Sequence, residues 1–233
     1  MLYKKNQTSS LDPKLFQNPT SEYRGTPFWA WNCKVSKEDV DRTLNALKKM
    51  GMGGAHIHSR TGMDLPYLGK EFMEMVHYSH EKSNELGMIT WLYDEDRWPS
   101  GYAGGLVTTD PAFRQRFLVF SPEELPPHEE VKAEEGGSSA RAISSGKREF
   151  LARYAIRLEN GYLTEYHRLS AEAPVPEGFE TWYLYREISG DNAWFNDEAY
   201  VDTLNPKAMD KFIEITHEAY YRELGDSFGD TIP

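Results

Sequence analysis

The chain has 233 residues, 39% of them hydrophobic and 13% aromatic, which is enough to bury a core in one large domain or two small ones. Its formal net charge of -11 disfavours binding to nucleic acid or to an anionic membrane, since both are bound through an excess of Lys and Arg. Cys33 is the only cysteine, so no disulfide forms within the chain, and no apolar run is long enough for a signal peptide or a membrane span. We therefore expect a cytoplasmic protein.

The first half of the chain predicts alternating strands and helices. Residues 1–25 are polar and turn-rich and predict a lead-in segment, and residues 26–111 predict the first βα units of a parallel sheet. Within these units the strands are expected at residues 26–32, 53–59 and 88–94, and the helices from Ser36 to Gly51 and from Lys70 to Leu86. Ser36 and Asp39 have the spacing of a capping box, with Asp in place of the usual Glu.

The second half predicts an inserted β subdomain at residues 112–190. Period-two patterning surrounds Asn160-Gly161, which is a strong hairpin signal, and the Glu-, Ser-, Gly- and Pro-rich stretch 121–149 predicts a mobile loop. Residues 191–233 predict a resumed barrel helix, with Asn205 as its N-cap and an end near Gly225, and we expect the chain to stop before the next strand. The expected fold class is α/β, a partial (β/α)8 TIM-barrel-like parallel sheet carrying an antiparallel insertion.

Aromatic and polar side chains follow each predicted strand of the parallel sheet. Since side chains alternate along a strand, His56 and His58 share one face, and the apolar Ala55 and Ile57 on the other face suit the helix layer. The two histidines beside Arg60 therefore predict a polar pocket, although a hydrogen-bonded barrel floor would have the same pattern. Of the tryptophans, at least one of Trp29 and Trp31 is expected to pack in the core, and Trp98, which lies past its strand, is the better ligand contact.

Three carboxylates follow the third predicted strand, at Asp94, Glu95 and Asp96. Unless Arg60, Arg97 or a cation neutralises them, their mutual repulsion is expected to raise at least one pKa, which is what a general acid needs. Asp94 and Glu95 are thus weak candidates for catalytic carboxylates, and the catalytic pair as a whole is unknown. Neighbouring residues on a strand diverge, so the two do not both face one substrate, and the turn could equally bind sugar hydroxyls or face solvent.

The strings PFWAWN, GGAHIHSRTG, PYLG and WLYDEDRWPSGYAGG resemble the N-terminal barrel segment of large bacterial glycoside hydrolases of the α-L-rhamnosidase type. The resemblance covers roughly residues 26–110 and resumes over residues 204–233, and only Cys33, where a small residue such as Gly is expected, departs from the pattern. It implies a retaining or inverting glycosidase acting on plant or microbial polysaccharide, with the main catalytic carboxylates after Pro233. The sugar contacts that it implies are Trp31, His56, His58, Arg60, Asp94, Glu95 and Trp98.

Two other functions stay open on the sequence. His56 and His58 with nearby carboxylates could hold Zn²⁺ or Mn²⁺ in a metal-dependent hydrolase of the amidohydrolase type. Alternatively, the chain is a non-catalytic carbohydrate-binding fragment, inactive alone, whose parent protein is the enzyme. Our first expectation is an oligosaccharide or glycoside substrate with no metal, no cofactor, no nucleic acid and no membrane partner, and with self-association through unpaired sheet edges.

Overall fold

The computed structural model describes residues 9–130 and 141–233. The chain divides into two compact units. We call Met1–Gly104 with Asp210–Pro233 the parallel unit, and Gly105–Met209 the antiparallel unit. The predicted domain boundaries after residues 25, 111 and 190 stay predictions. None of the helices in the described part of the chain is long and apolar enough to cross a membrane.

The parallel unit is built on a three-stranded sheet in the order β1-β2-β3, with both neighbouring pairs parallel. The strands are β1 (Phe28–Trp31), β2 (Gly54–Ser59) and β3 (Ile89–Leu92), and the helices of the first part of the chain are α1 (Pro13–Gln17), α2 (Lys37–Lys49) and α3 (Lys70–Glu85). The three strands and the two long helices fall where the sequence predicts them, so the alternation of βα units is confirmed. Their parallel pairing brings the carboxyl ends of all three strands to one edge of the sheet.

Helix α2 begins as its sequence predicts. The Ser36 hydroxyl accepts a hydrogen bond from the Asp39 backbone N–H at 3.2 Å, and the Asp39 carboxylate accepts one from the Ser36 backbone N–H at 3.2 Å. The capping box is therefore confirmed with Asp in the position of Glu. The pKa of Asp39 lies below its usual value, because its carboxylate accepts hydrogen bonds from the Ser36 hydroxyl at 2.8 Å, from the Ser36 backbone N–H and from Arg42.

The core of the parallel unit lies between its sheet and its helices. Ala55 and Ile57 of β2 and Trp31 of β1 are buried there together with Val40 and Leu44 of α2. This confirms the predicted alternation along β2, since the apolar pair faces the helix layer. The opposite face of the sheet carries the histidines.

The last helical segment is divided at Thr216 rather than continuous. α4 (Pro206–Ile215) and α5 (His217–Leu224) flank this residue. The Asn205 side chain accepts a hydrogen bond from the Lys207 N–H at 3.2 Å, in the capping role predicted for it. The Thr216 hydroxyl donates to the Phe212 carbonyl at 2.7 Å, and this backbone bonding by a Thr side chain is a known cause of helix bending.

Residues 229–233 lie beside β3. The Thr90 N–H donates to the Thr231 carbonyl at 2.9 Å, and Ile232 is buried in the core of the parallel unit. The other edge of the sheet is formed by β1, which pairs with β2 and with no further strand among the described residues. Self-association through such an edge stays a prediction.

A buried histidine ties α3 to β3 and to the end of the chain. His80 Nε2 accepts hydrogen bonds from the Asn84 side chain at 3.1 Å and from Ser227 Oγ at 2.9 Å, while Nδ1 lies 3.1 Å from Thr90 Oγ1. This arrangement fits a neutral ring with its proton on Nδ1. Burial lowers the pKa of His80 from its usual 6.5, His77 lowers it further and Glu81 opposes the shift.

We expect the free energy of unfolding to fall as the pH drops below about 6.5, because the unfolded chain then binds a proton that folded His80 resists. The replacement His80→Gln removes this titration and should make the fall shallower. The check is urea unfolding on both sides of that pH, with His167→Gln, an exposed histidine of the antiparallel unit, as the control. An unchanged pH dependence in His80→Gln would contradict this assignment.

The antiparallel unit contains a four-stranded sheet in the order β4-β7-β5-β6. Its strands are β4 (Arg116–Ser121), β5 (Ser144–Glu159), β6 (Tyr162–Leu169) and β7 (Glu180–Ser189). The predicted hairpin turn is confirmed: Asn160 and Gly161 both have positive φ, of 53° and 81°, as a two-residue turn of this type requires. All neighbouring pairs in this sheet are antiparallel.

The loop predicted over residues 121–149 is wrong at its carboxyl end, since β5 begins at Ser144. Glu187 of β7 explains the difference, because its buried carboxylate accepts hydrogen bonds from the Ser144 hydroxyl, from the Gly146 N–H at 3.1 Å and from Arg148 Nε at 3.1 Å. The polar start of β5 is therefore held in the sheet by Glu187, and the composition of residues 121–149 alone does not predict this partner. Residues 131–140 of the predicted loop lie outside the described residues.

The fold is therefore mixed α/β, with a parallel three-stranded sheet and a separate antiparallel four-stranded sheet. This is the class that the sequence predicts. Closure of the parallel sheet into an eight-stranded barrel stays a prediction.

Candidate functional site

The face of the parallel sheet opposite the helices is lined with flat rings. Phe28, His56 and Trp91 occupy one row across the three strands, because Phe28 pairs with His56 in register and His56 pairs with Trp91. The ring centroids of His56 and Trp91 lie 5.1 Å apart. We call this face, with Phe28, His56, His58, Trp91 and Tyr93, the ring face.

His58 occupies the centre of the ring face, one row nearer the carboxyl ends of the strands. Its ring lies 4.2 Å from the Phe28 centroid and 3.7 Å from the Tyr93 centroid, and the residue is only 2% exposed. Nδ1 lies 2.5 Å from the Ser59 carbonyl, so it carries the proton and donates. His58 therefore spaces and orders the two neighbouring rings, whereas Phe28, at 54% exposed, presents open surface.

Both histidines of the ring face are held neutral. Burial lowers the pKa of His56, and burial is also the largest cause lowering the pKa of His58. For His58 the positive charge of Arg60 adds to the effect, while the bond to Ser59 and the negative charge of Asp96 oppose it. A neutral imidazole offers both a donor and an acceptor, which suits recognition of hydroxyl groups.

Charged groups surround the carboxyl end of the ring face. The Arg60 guanidinium lies 6.0 Å from the centroid of the Phe28 ring. The Asp94 carboxylate accepts a hydrogen bond from the Ser100 hydroxyl at 2.7 Å and lies 3.6 Å from Nε2 of His217 on α5. Asp94 thus stays accessible and hydrogen-bonded at the edge where the strands end.

The Glu95 side chain is enclosed by its own loop. Its side chain is 0% exposed, and its carboxylate accepts hydrogen bonds from backbone amides within residues 96–104. Burial raises the pKa of Glu95 to about 7, against the lowering effect of these amides. One carboxylate in the acidic run does have a raised pKa, but desolvation and not mutual repulsion is its cause. Both oxygens are engaged by the backbone, so the Glu95 carboxylate is closed to a ligand.

The two tryptophans carried over as sugar contacts have different positions. Trp31 is 0% exposed and packs edge-on against Phe72 of α3 at 5.6 Å between centroids, so its ring belongs to the core and is closed to a ligand. Trp98 is 58% exposed. The expectation that one tryptophan of β1 packs in the core therefore applies to Trp31 itself, which the resemblance had placed at the sugar.

His56 and His58 are the residues that the alternative of a metal-dependent hydrolase would use as ligands. Within residues 9–130 and 141–233, no group of three or more His, Cys, Asp and Glu side chains is arranged to hold a metal ion. Stacking against aromatic rings and the bond to the Ser59 carbonyl occupy His58 instead. The geometry does not support the metal-dependent hydrolase.

A cavity of about 620 Å³ lies at the opposite end of the parallel sheet, where β3 begins. Ser21, Arg24, Gly87 and Ile89 are among the residues that line it. None of the candidate site residues does. In parallel α/β folds this amino end of the strands serves stability, and ligands bind at the carboxyl end.

Phe28, Trp91, Tyr93 and His217 join the site although the sequence did not single them out as contacts. The register Phe28–His56–Trp91 follows from pairing the three predicted strands. Phe28 and Trp91 could therefore have been found by aligning these strands. Nothing in the sequence marks His217, because its approach to Asp94 depends on where α5 packs.

No protein-family model matches the chain, and no curated protein matches it. Among solved structures, a rhamnosidase from Novosphingobium sp. PP1Y is similar at 17% identity and a TM-score of 0.37, over 61% of this chain and 15% of the rhamnosidase. The chain thus spans about 15% of the length of that protein. A TM-score this low does not establish a shared fold, so the functional proposal depends on the geometry of the site.

Proposed function

We propose that the ring face and the loop after β3 form one wall of a carbohydrate-binding site in a glycoside hydrolase. The observation that carries the proposal is the combination of flat rings and neutral imidazoles on one face of three parallel strands with the Asp94 carboxylate where the third strand ends. The substrate class is a neutral oligosaccharide or glycoside.

The rings suit the apolar side of a sugar. A pyranose has a face of C–H groups that stacks on an aromatic ring and buries apolar area, and Phe28 and Trp98 both expose more than half of their surface. Tyr93 and Trp91 are half-buried, and their rings contact those of His58 and His56. The stacked His58 keeps the Phe28 and Tyr93 rings at a fixed separation, so the surface is preformed.

The polar groups suit the hydroxyls of a sugar. His56 supplies a neutral donor and acceptor, and Asp94 supplies a carboxylate that Ser100 already orients. An excess of carboxylates in the chain disfavours anionic ligands, which fits a neutral glycoside. Arg60, above the Phe28 ring, is placed to donate to hydroxyl oxygens.

For the whole protein we propose cleavage of a glycosidic bond by paired carboxylates, following the family resemblance, which places the main pair after Pro233. Asp94 is the stronger of the two catalytic candidates within this chain, because Glu95 is enclosed by backbone amides. We expect the 233-residue chain to bind sugar without turnover, and the absence of nitrophenol release from aryl glycosides would agree with that.

The replacement Trp98→Ala is expected to weaken sugar binding about tenfold, because loss of a stacked indole costs on the order of 1–1.5 kcal/mol. The free energy of unfolding should hardly change, since the side chain is exposed. The check is calorimetric titration of the chain with a panel of methyl glycosides of neutral hexoses and 6-deoxyhexoses.

The matched control is Phe16→Ala, another exposed aromatic of the parallel unit, which lies on α1 outside the ring face. It should leave affinity unchanged. If no methyl glycoside binds the wild-type chain at millimolar concentration, or if both variants lose the same affinity, the proposal fails.

A further inference from the structure

The loop that follows β3 is closed around a single carboxylate. Oε1 of Glu95 accepts from the backbone N–H groups of Asp96 at 2.8 Å and Gly104 at 2.6 Å. Oε2 accepts from those of Gly101 and Tyr102, both at 3.0 Å, and of Ala103 at 2.8 Å. One side chain thus satisfies five backbone donors, which as buried groups each need at least one partner.

The backbone of the loop is shaped to this carboxylate. Gly101, Ala103 and Gly104 have positive φ of 129°, 52° and 62°. Ala103 is strained there, since a residue with a Cβ prefers negative φ at a cost of about 1–2 kcal/mol. Successive amides in such a conformation form a nest for an anion. Without the carboxylate, the loop would lose the hydrogen bonds that offset the strain at Ala103.

The groups around Glu95 are mostly neutral. Tyr67 and Tyr220 are enclosed beside it, and Tyr102 of the loop is buried, and burial raises the pKa of all three phenols. Its own loop also carries the charged residues Asp94, Asp96 and Arg97. Arg97 lies 3.4 Å from Asp96, so the positive charge pairs with Asp96. The backbone amides are therefore the main partners of the Glu95 carboxylate.

We propose that Glu95 is a positioning residue of the sugar site: its carboxylate organises residues 96–104 and thereby places the Trp98 ring at the edge of the ring face. Glu95 touches no substrate in this role. The part of the claim that concerns affinity rests on the proposed function, and the part that concerns loop order does not.

The test combines Glu95→Gln, Glu95→Asp and the exposed control Glu85→Gln. Gln keeps the size of the side chain but turns an NH2 group toward backbone donors, whereas Asp keeps the carboxylate on a shorter stem. Hydrogen exchange of the amides of residues 101–104, measured without sugar, should accelerate at least tenfold in Glu95→Gln and less in Glu95→Asp. The amides of β2 should stay protected, and Glu85→Gln should match the wild type throughout.

A double-mutant cycle with Trp98→Ala separates positioning from a general effect on stability. In the Glu95→Gln background, Trp98→Ala should no longer weaken binding of the methyl glycoside found for the wild type. Unchanged loop exchange in Glu95→Gln, equal acceleration across the whole parallel unit, or a full tenfold effect of Trp98→Ala in both backgrounds would overturn the proposal. If Glu95→Gln does not fold, Glu95→Asp carries the same exchange and affinity comparisons.

The exchange and binding experiments test the two parts of the proposal independently. A wild-type chain that binds no glycoside would end the proposed function, and loop exchange would still decide whether Glu95 organises residues 96–104.

Discussion

Replacing Trp31 with alanine is expected to lower the free energy of unfolding of the parallel unit by about 3–5 kcal/mol, the usual cost of removing a large aromatic side chain from a core. Trp31 is fully buried between β1 and the helices, and its ring packs edge-on against Phe72. Urea unfolding followed by far-UV circular dichroism measures the loss.

Two variants make this prediction specific. Among the described residues the Trp31 indole N–H has no hydrogen-bond partner, so Trp31→Phe should cost clearly less than Trp31→Ala. Trp98→Ala should leave stability near that of the wild type, because Trp98 is exposed. A loss under about 1 kcal/mol in Trp31→Ala would show that the ring is not part of the core.

Replacing Glu187 with alanine is expected to cost about 3–5 kcal/mol in the antiparallel unit. The change removes the buried acid partner of the largely buried Arg148, which keeps only its bond to the half-exposed Glu129, and removes the acceptor of Ser144 and Gly146. The first residues of β5 should then detach from β7, since Glu187 is what holds this polar stretch in the sheet. Hydrogen exchange of the β5 and β7 amides reports the loss within this unit.

Glu149→Ala is the matched control for Glu187. Glu149 also pairs with an arginine across β5 and β7, Arg186, but both side chains are about half exposed. Such surface pairs contribute about 0–1 kcal/mol, so exchange in Glu149→Ala should stay close to that of the wild type. Equal effects in the two variants would mean that burial of the Glu187 pair is not what stabilises β5.

Local patterns were enough to predict most of the fold. The period-two alternation in β2 correctly separates Ala55 and Ile57 from His56 and His58, and the Ser36–Asp39 spacing correctly places the start of α2. Both features depend on neighbours within a few residues along the chain. The same holds for the Asn160-Gly161 turn, whose conformation depends on the two residues themselves.

The features that sequence reasoning missed depend on distant partners. Ser144–Glu149 became a strand because Glu187, some forty residues later, binds it. Trp31 is the last residue of β1 and Trp98 lies in the loop after β3, and only packing against Phe72 assigns Trp31 to the core. Glu95 lies in an acidic run after a strand, as a catalytic acid often does, yet the glycine-rich segment after it encloses its carboxylate.

Glycines at 101, 104 and 105 predicted a sharp turn above the pocket, and all three have positive φ, two of them within the nest around Glu95. The sequence could not say that the turn closes on a carboxylate six to nine residues away. In a run of acids followed by such a turn, a carboxylate can either face a ligand or be enclosed by the turn. Only the direction of each side chain distinguishes the two.

The most direct test of the sugar site is an NMR titration of the chain with the methyl glycosides, following the side-chain signals of its aromatic and histidine residues. Our account predicts shifts for Phe28, His56, Trp91, Tyr93 and Trp98, and none for Phe120, Tyr154 and Trp182 of the antiparallel sheet. Shifts confined to the antiparallel sheet, or a titration in which the ring face does not respond, would contradict it.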